Sequence, residues 1–535
     1  MAVFAVVLFL FSCEQQEIAV EQSNIETEAT NRGGMIVLGK KLENPYSVEN
    51  MKKAYDNLIV NGRTGGDVDI ATTHYYVRFL PKSNEEMQVL EADSLYLFDY
   101  PLDYEIEGDG ENYVDPDVNI AEGKWFYTSV PINYNFTNIK YEIIEDLFLP
   151  EEYVTNGRGS ISNEFLLELE DEALRITGNY EERDDAILNG RAWENPNGHV
   201  RVFDTERNRL VGVEGVKVRT RRWFKYGNDY TDGNGFYYIT KRYKRDVHYT
   251  VFFKNVSGFK VWSTVIDLSV ASHHVGKHSK HGYDINIFQN SRAWRFATVN
   301  NGVVKYKAYC SQFGINHPPS NLRIAALDKA SGGSATPMLR RTWGVFGFTS
   351  HSKVKAFLWK ANSISISLNL VATLLKFTQP DIIIKATSSR GTATVLATTF
   401  HECAHASHWT KAGNGYWVKY INYIITYNGY GNGTGNNAGV CGIGEMWGNY
   451  FGAVCMNREF PRVGGSSAYL DEFEDWYNPG FLQDVDNIPD VSTAEIFSCL
   501  TSSTDTFDDL INQLKTKTNN DAQVDNAFAN YTDWP

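Results

Sequence analysis

The sequence predicts a multidomain α+β protein, and three observations lead to this prediction. The chain has 535 residues, more than one hydrophobic core usually organises, so about three domains are expected. Residues 197–268 alternate apolar and polar positions between turn signals, as the strands of an antiparallel β-sandwich do. Residues 381–409 contain a short apolar strand and then a long, proline-free apolar run that favours a buried helix.

The overall charge argues against one class of partner. The formal net charge is -15 and the sequence pI is about 5.3. Binding to the phosphates of a nucleic acid requires clustered lysine and arginine. We therefore expect no nucleic-acid partner.

The first residues have the properties of an export signal. Met1–Ser12 is an apolar run that is too short to span a bilayer but suits a signal peptide. It ends in Leu10-Phe11-Ser12-Cys13, which resembles the lipobox of bacterial lipoproteins. The resemblance implies a signal peptide over residues 1–13, a lipid on Cys13, and anchorage in the bacterial cell envelope, at the outer membrane or cell surface. The alternative is an unprocessed core segment.

A polar stretch and an acidic domain are expected next. Residues 14–34 are rich in Glu, Ser, Asn and Thr and predict a disordered tether. Residues 35–190 predict an α+β domain, with helices at 48–58 and 83–91 and strands at 74–80 and 94–98. Residues 33–190 contain 12 Lys and Arg against 32 Asp and Glu, a balance of -20. This excess predicts a solvated face, with a propeptide or docking surface as the alternative.

The third segment, residues 195–270, predicts the antiparallel β-sandwich. It contains a G-x-V strand from Gly198, a G-V-x-V strand near Val216, and the tight turn Asp232-Gly-Asn-Gly235. This pattern resembles the carboxypeptidase regulatory-like domain, a transthyretin-like sandwich that is usually accessory. Residues 200–285 hold 16 Lys and Arg against 8 Asp and Glu, a balance of +8. Attraction to the acidic N-terminal domain is therefore expected.

Histidine and cysteine residues outside the main motif predict little chemistry. The cluster His273, His274, His278 and His281 lacks interleaved carboxylates or cysteines and lies in a predicted linker, so a second metal site is disfavoured. An oxidising envelope would permit a disulfide among Cys441, Cys455 and Cys499. Cys403 is expected to be a small buried apolar residue.

The strongest chemical signal lies in the predicted catalytic region, residues 289–535. The stretch Thr399–His408 contains the pattern His-Glu-x-x-His, with His401, Glu402 and His405. On a helix, positions four apart share one face, so both imidazoles can reach one cation while Glu402 projects toward a metal-bound water. A cation with an open position lowers the pKa of its water, and a neighbouring carboxylate can accept the proton.

This stretch resembles the active-site helix of the zincin metallopeptidases. In that group, the helix follows a strand that lines the cleft, as the short apolar strand Asp381–Lys385 precedes Thr399–His408 here. The resemblance implies a C-terminal zincin-like α+β catalytic domain and a Zn²⁺ cofactor. We also expect the strand Asp381–Lys385 to hold the substrate backbone by β-addition, with the substrate as the added strand.

The third metal ligand is expected from a second apolar helix at 442–452. Glu445 lies 40 positions beyond His405, and Asn449 follows one turn later. In the gluzincin branch of the zincins, a Glu on a later helix completes the site and a polar residue four positions further supports it, although the usual N-E-x-x-S-D form is absent here. The resemblance assigns Glu445 as ligand and Asn449 as its support.

His408 is the competing third ligand. It lies seven positions after His401, on the same helix face, but two turns also separate the two residues by about 10 Å along the axis. A straight helix therefore cannot easily bring His401, His405 and His408 to one ion, and the first glycine in this stretch, Gly413, comes only after His408. In relatives, a Tyr or His stabilises the oxyanion, and five tyrosines are candidates here: Tyr416, Tyr420, Tyr423, Tyr427 and Tyr430.

We expect a membrane-anchored zinc metallopeptidase that cleaves proteins or peptides, with endopeptidase action favoured. Glu402 acts as general base, and His401, His405 and Glu445 hold zinc. The alternative is a non-catalytic adhesive or binding lipoprotein whose zinc site is structural or degenerate. The intact Glu402 favours the enzyme, since a purely structural metal site does not need it.

Overall fold

The computed structural model describes most of the chain from Ile36 onward. The described residues are 36–63, 68–93, 95–108, 110, 112–113, 115–116, 123–151, 162–181, 193–265, 269–329, 333–342, 379–387, 389–470 and 475–531. Within them the protein is mixed α and β, with eleven α-helices and sixteen strands in four sheets. The predicted signal peptide, the tether and Cys13 lie outside these residues.

Helices and strands alternate through the first part of the chain and helices dominate the last. The strands are β1 (Val37–Lys41), β2 (His74–Leu80), β3 (Tyr104–Gly108), β4 (Phe126–Pro131), β5 (Lys140–Leu147), β6 (Asn197–Asp204), β7 (Arg209–Gly212), β8 (Val216–Arg222), β9 (Lys225–Tyr230), β10 (Phe236–Tyr238), β11 (Val247–Asn255), β12 (Lys260–Trp262), β13 (Ser272–His278), β14 (Ile285–Ile287), β15 (Arg323–Leu327) and β16 (Ile382–Lys385). The helices are α1 (Val48–Val60), α2 (Asn84–Ala92), α3 (Asn163–Ile176), α4 (Ala293–Phe313), α5 (Leu339–Thr342), α6 (Thr392–Tyr427), α7 (Ala438–Glu459), α8 (Gly480–Asp486), α9 (Thr493–Ser498), α10 (Phe507–Thr518) and α11 (Asp521–Phe528). No helix in the described part is long and apolar enough to cross a bilayer.

The N-terminal region has the expected mixture of helices and strands. Strand β2 pairs antiparallel with β4 and β5, while α1 packs against α3. The hydroxyls of Ser47, Ser83 and Ser162 accept hydrogen bonds from backbone N–H groups in the first turns of α1, α2 and α3. The predicted strand at 94–98 is wrong. Among the described residues 95–98, only Phe98 pairs with this sheet, through a bridge to Tyr127 on β4, and one bridge does not make a strand.

Between residues 195 and 270, all strand pairs are antiparallel, as predicted. The Asp232–Gly235 turn joins β9 to β10. The Asp232 carboxylate accepts hydrogen bonds from the backbone N–H groups of Asn234 and Phe236, at 2.8 and 2.9 Å. Gly235 has φ +82°, a left-handed conformation that favours glycine. The turn residues therefore fix this connection locally, and it links two sheets, because β9 pairs with β8 and β10 pairs with β6.

The largest sheet extends from this segment into the C-terminal region. Its order is β16-β15-β12-β11-β8-β9, with β13 paired to β11. The β12–β15 and β15–β16 pairs are parallel. One hydrophobic core accordingly runs from Val200 on β6 to Ala527 on α11 and includes both segments.

The predicted linker around the four histidines is wrong. His273, His274 and His278 lie on β13, which pairs with β11, and β14 follows and pairs with β6. His274 is buried, and burial lowers its pKa to about 3. The polar composition did not predict this strand, because its backbone hydrogen bonds are formed with β11, an earlier segment outside the local sequence.

The acidic N-terminal region and the basic strands contact each other through ion pairs, as the charge balance predicted. The pairs are Lys225 with Glu151 and Glu170, Lys241 with Glu151, Arg245 with Asp171, Lys254 and Lys260 with Glu91, and Lys277 with Glu181. Several side chains in these pairs are largely buried, so solvent screens them less than fully exposed pairs.

Candidate metal centre

Helix α6 carries the two histidines of the motif, and its first turn is fixed by the turn between β6 and β7. The Thr392 N–H donates to the Thr205 hydroxyl at 2.7 Å, and the Thr205 N–H donates to the Thr392 hydroxyl at 3.0 Å. Strand β16 leads directly into this helix. His401 and His405 follow one turn apart on one face.

Helix α7 brings Glu445 to these histidines. The Nε2 atoms of His401 and His405 lie 3.0 Å apart. The Glu445 carboxylate oxygens lie 3.4 Å from His401 Nε2 and 3.5 Å from His405 Nε2. Among the described residues this is the one group of three or more His, Cys, Asp or Glu with ligand atoms close enough to hold a metal ion, all within 4.8 Å.

The close approach of α7 to α6 depends on a glycine. A Cβ atom at Gly448 would lie 2.9 Å from His405 Cε1 and 3.0 Å from His401 Cε1. Real Cβ atoms rarely come this close to other atoms without a shift. Gly452, one turn later, faces the His401 backbone at an ordinary 3.5 Å. The missing side chain at Gly448 thus provides the space for both imidazoles.

The site is closed on one side and open at His401. The His401 side chain is 20% exposed, whereas His405 and Glu445 are 2% and 1% exposed. Burial raises the pKa of Glu445, but the positive charge of His405 and hydrogen bonds from both histidines outweigh it and hold the pKa well below its usual value. Burial lowers the pKa of His401, but the hydrogen bond and charge of Glu445 raise it above its usual value. These three groups therefore stabilise one another electrostatically.

A break in α6 folds its second half back toward the site. Gly413 has φ +81° and ψ -179° within the helix, and the chain after it returns along the first half. The Tyr420 hydroxyl donates a hydrogen bond to Glu445, and Trp417 stacks on Tyr420 with ring centroids 5.0 Å apart. Tyr420 thereby orients the carboxylate that faces the two histidines.

The other candidate tyrosines are placed differently. The Tyr416 hydroxyl donates to the Val440 carbonyl and the Tyr423 hydroxyl to the Thr434 carbonyl. Tyr427 packs on Tyr423 and Tyr430 on Tyr477. Of the five tyrosines, Tyr420 is the one whose hydroxyl is bonded to a residue of the cluster, and sequence reasoning did not distinguish it.

Glu402 lies beside the cluster and is held by a residue that the sequence did not single out. The Thr336 hydroxyl donates to Glu402 Oε2 at 2.7 Å and lies 2.9 Å from the Glu402 carbonyl oxygen. The Trp417 indole N–H donates to the Thr336 carbonyl at 2.7 Å. Burial raises the pKa of Glu402, although His401 and His405 oppose the shift. Thr336 follows a short sequence of glycine and serine residues, and no local pattern marks it.

Asn449 supports both helices. Its side-chain amide donates to the Glu445 carbonyl at 2.9 Å, and its side chain also hydrogen-bonds His401. The Asn449 contact to His401 raises the pKa of that imidazole. Asn449 therefore lies where a residue that orients a ligand would act.

His408 lies in the interior and outside the cluster. It is fully buried against Tyr416 and Trp417, and burial lowers its pKa to about 3. Within the described part of the chain, both of its ring nitrogens, and Nδ1 of His405, have no hydrogen-bond partner. The structure brings together His401, His405 and Glu445 and leaves His408 apart.

The expected role of strand β16 in binding a substrate backbone is wrong. Ala335 and Ile383 exchange two backbone hydrogen bonds, at 3.0 and 2.8 Å, and the Lys385 N–H donates to the Ser334 hydroxyl at 3.0 Å. The outer edge of β16 is therefore already paired with residues 334–335, and these groups are not free for a second strand.

The described residues contain neither the disulfide that the sequence permits nor a second metal-binding group. Cys310, Cys403, Cys441, Cys455 and Cys499 are all buried and free, so the disulfide that the sequence permits is absent from these described positions. The four histidines near β13 form no metal-binding group within the described residues. A comparison of the chain with known protein families and with curated proteins finds no match.

Proposed function

We propose that the protein is a zinc-dependent peptidase of the gluzincin type. The observation that carries the proposal is the convergence of His401, His405 and Glu445 from two helices, with Glu402 beside them. Two imidazoles and one carboxylate are a ligand set that catalytic zinc uses with a fourth, open position. The lipobox-like sequence at Cys13 predicts that this peptidase is attached to the cell envelope.

The residues fit a zinc ion in three respects. The donor atoms are nitrogen and oxygen, as zinc accepts. Gly448 leaves the space next to both imidazoles, where a larger residue would displace them. Tyr420 and Asn449 bond the ligands from outside the cluster, which is how proteins orient ligands for a metal.

The positions of the surrounding groups support peptide hydrolysis as the reaction. A bound zinc ion would lower the pKa of a coordinated water and polarise the substrate carbonyl. Glu402 Oε2 is held by Thr336, which leaves Oε1 to accept the proton of the attacking water and pass it to the departing amine nitrogen. The exposed side of His401 is where a peptide would approach. Since β16 is paired, substrate binding must rely on other groups.

Metal analysis and a cleavage screen test the proposal directly. The protein without residues 1–32 should contain about one zinc per chain, the stoichiometry of a single catalytic site. It should cleave members of a peptide library, lose this activity with a chelator, and regain it with added zinc. Proteolysis that a chelator leaves unchanged would contradict the proposal. Stoichiometric zinc without cleavage of any peptide or protein would favour the alternative, a binding protein with a structural metal site.

A matched pair of glycine substitutions tests the packing of α7 against the ligands. Gly448→Ala should weaken zinc binding by roughly tenfold or more, as changes next to metal ligands do, because its Cβ would displace both imidazoles. Gly452→Ala makes the same change in helix propensity with only an ordinary contact, and it should keep wild-type affinity. Competition titrations with a zinc indicator measure both variants. Equal zinc affinity in the two would refute this account of Gly448.

A further inference from the structure

A cavity of about 460 Å³ lies between the N-terminal region and the largest sheet, well apart in sequence from the metal cluster. Helix α2 and the residues after it line one side, and strands β8, β9, β11 and β12 line the other. The volume is within the range of small-molecule sites, about 300–1,000 Å³. Its lining contains more cationic than anionic side chains.

Four cations line the cavity against two carboxylates. Lys254 and Lys260 share one of them, Glu91, at 3.2 and 2.7 Å. The other, Asp99, forms an ion pair with Lys124 at 2.9 Å. Within the described part of the chain, Lys217 and Arg219 form no ion pair, although the charge of Glu91 also acts on Lys217. The cavity therefore has an excess of positive charge.

Arg219 is a buried cation, and not all of its hydrogen-bond donors have a partner among the described residues. It is 7% exposed, and one of its terminal nitrogens donates to the Leu97 carbonyl at 2.6 Å. Its Nε is buried and has no hydrogen-bond partner among the described residues. The guanidinium group lies over the rings of Phe252 and Phe98, at 4.6 and 4.8 Å. A buried cation without an anion is costly, so an arriving anion would be stabilised here.

Lys217 adds a second unpaired cation on the same strand face. It is two residues from Arg219 on β8, and its ammonium group lies 5.1 Å from the ring of Tyr230. Burial, followed by the positive charges of Arg219 and Lys254, lowers the pKa of Lys217 to about 8. The charge of Glu91 opposes this lowering of the Lys217 pKa but does not outweigh it.

The rest of the wall combines aromatic side chains, among them Tyr96, Phe126, Phe252 and Trp262, with polar ones. The polar side chains are those of Asn84, Asn112, Asn228, Ser269 and Ser272. We propose that this cavity binds a small organic anion, a carboxylate or a phosphate monoester attached to a flat apolar group. The charged end would contact Lys217 and Arg219, and the apolar part would pack on the rings. The site is independent of the proposed peptidase activity, since none of its residues belongs to the metal cluster.

Calorimetric titration of the whole protein tests this site with three probes that share one ring. Benzoate and phenyl phosphate represent the two anions, and benzamide is the neutral control. At least one anion should bind once per chain, about tenfold or more tightly than benzamide, because loss of one partner of a buried charge pair is costly. Whichever anion binds identifies the class. Binding of neither anion in preference to benzamide would overturn the proposal.

A pair of lysine substitutions locates the binding. Lys217→Met should weaken binding of the preferred anion about tenfold or more, since it removes one of the two unpaired cations. Lys52→Met makes the same charge change at an exposed position of α1 and should leave affinity unchanged. Equal affinity in the two variants would overturn the assignment of the site.

A measurement on the unmodified chain does not depend on how the variants fold. Acetic anhydride labels neutral amines, and mass spectrometry reports the rate at each lysine. Because of its lowered pKa, Lys217 should react readily near neutral pH. A saturating concentration of the preferred anion should slow labelling of Lys217 several-fold and leave Lys52 unchanged. Labelling of Lys217 that the anion does not affect would contradict the proposal.

Discussion

Glu402→Gln should abolish peptide hydrolysis while the protein retains about one zinc per chain. The carboxylate is not part of the ligand cluster, and an amide cannot accept the proton of the attacking water. Loss of a general base typically lowers the rate about 10²-fold or more. The amide oxygen can still accept the Thr336 hydrogen bond, so the helix should keep its structure. Peptide turnover and elemental analysis of the same preparation measure the two effects.

The control for this variant is Glu459→Gln, at the last residue of α7. Glu459 is also a buried glutamate and forms ion pairs with Lys305 and Arg207, but it lies 14 positions from Glu445, about 20 Å along a helix. Its substitution should lower the melting temperature and leave turnover per folded molecule unchanged. Wild-type turnover in Glu402→Gln would exclude the proposed mechanism.

The second large effect concerns the third ligand. Glu445→Ala should lose both zinc and hydrolysis, because it removes the carboxylate 3.4 and 3.5 Å from the two imidazoles. His408→Ala should retain both, since His408 lies outside the cluster. Melting temperatures must accompany the measurement, because removing the buried His408 ring leaves a cavity that lowers stability.

The comparison distinguishes two arrangements of the metal site. If His408→Ala lost zinc and activity while Glu445→Ala kept them, the third ligand would be His408. The protein would then lie outside the gluzincin type. Loss of zinc in both variants at unchanged melting temperature would also contradict the assignment of Glu445 alone.

Local sequence patterns were sufficient to predict the helix that carries the His-Glu-x-x-His motif and the strand before it. The apolar run around His401 predicted a buried helix, and the short apolar strand before it is β16. The i, i+4 spacing places two imidazoles together wherever a helix forms. Glu445 was assigned from the resemblance of its position to the later glutamate of the gluzincins, and the structure places it against both histidines.

Contacts between distant segments could not be predicted in this way. Thr336 reaches Glu402 across more than sixty positions, and no periodicity marks it. In the sequence, Tyr420 is one of five similar tyrosines. The break at Gly413 places its hydroxyl against Glu445, and the sequence did not predict this. Strand β13 has the composition of a linker. It is a strand because its backbone pairs with β11, and the residues of β13 alone do not indicate this pairing. The covered edge of β16 likewise depends on residues 334–335, which have no strand pattern of their own.

The parallel pairing of β12 with β15 and of β15 with β16 has a consequence for the order of folding. Lys260 pairs with Arg323, and Ile324 with Ile382, so each pairing must close a loop of more than fifty residues. Such closures are entropically unfavourable and make folding slow. During synthesis, β12 is complete long before its partner strand exists. The metal ligands, which follow β16, can therefore assemble only late, and until then an unpaired apolar strand edge is open to aggregation.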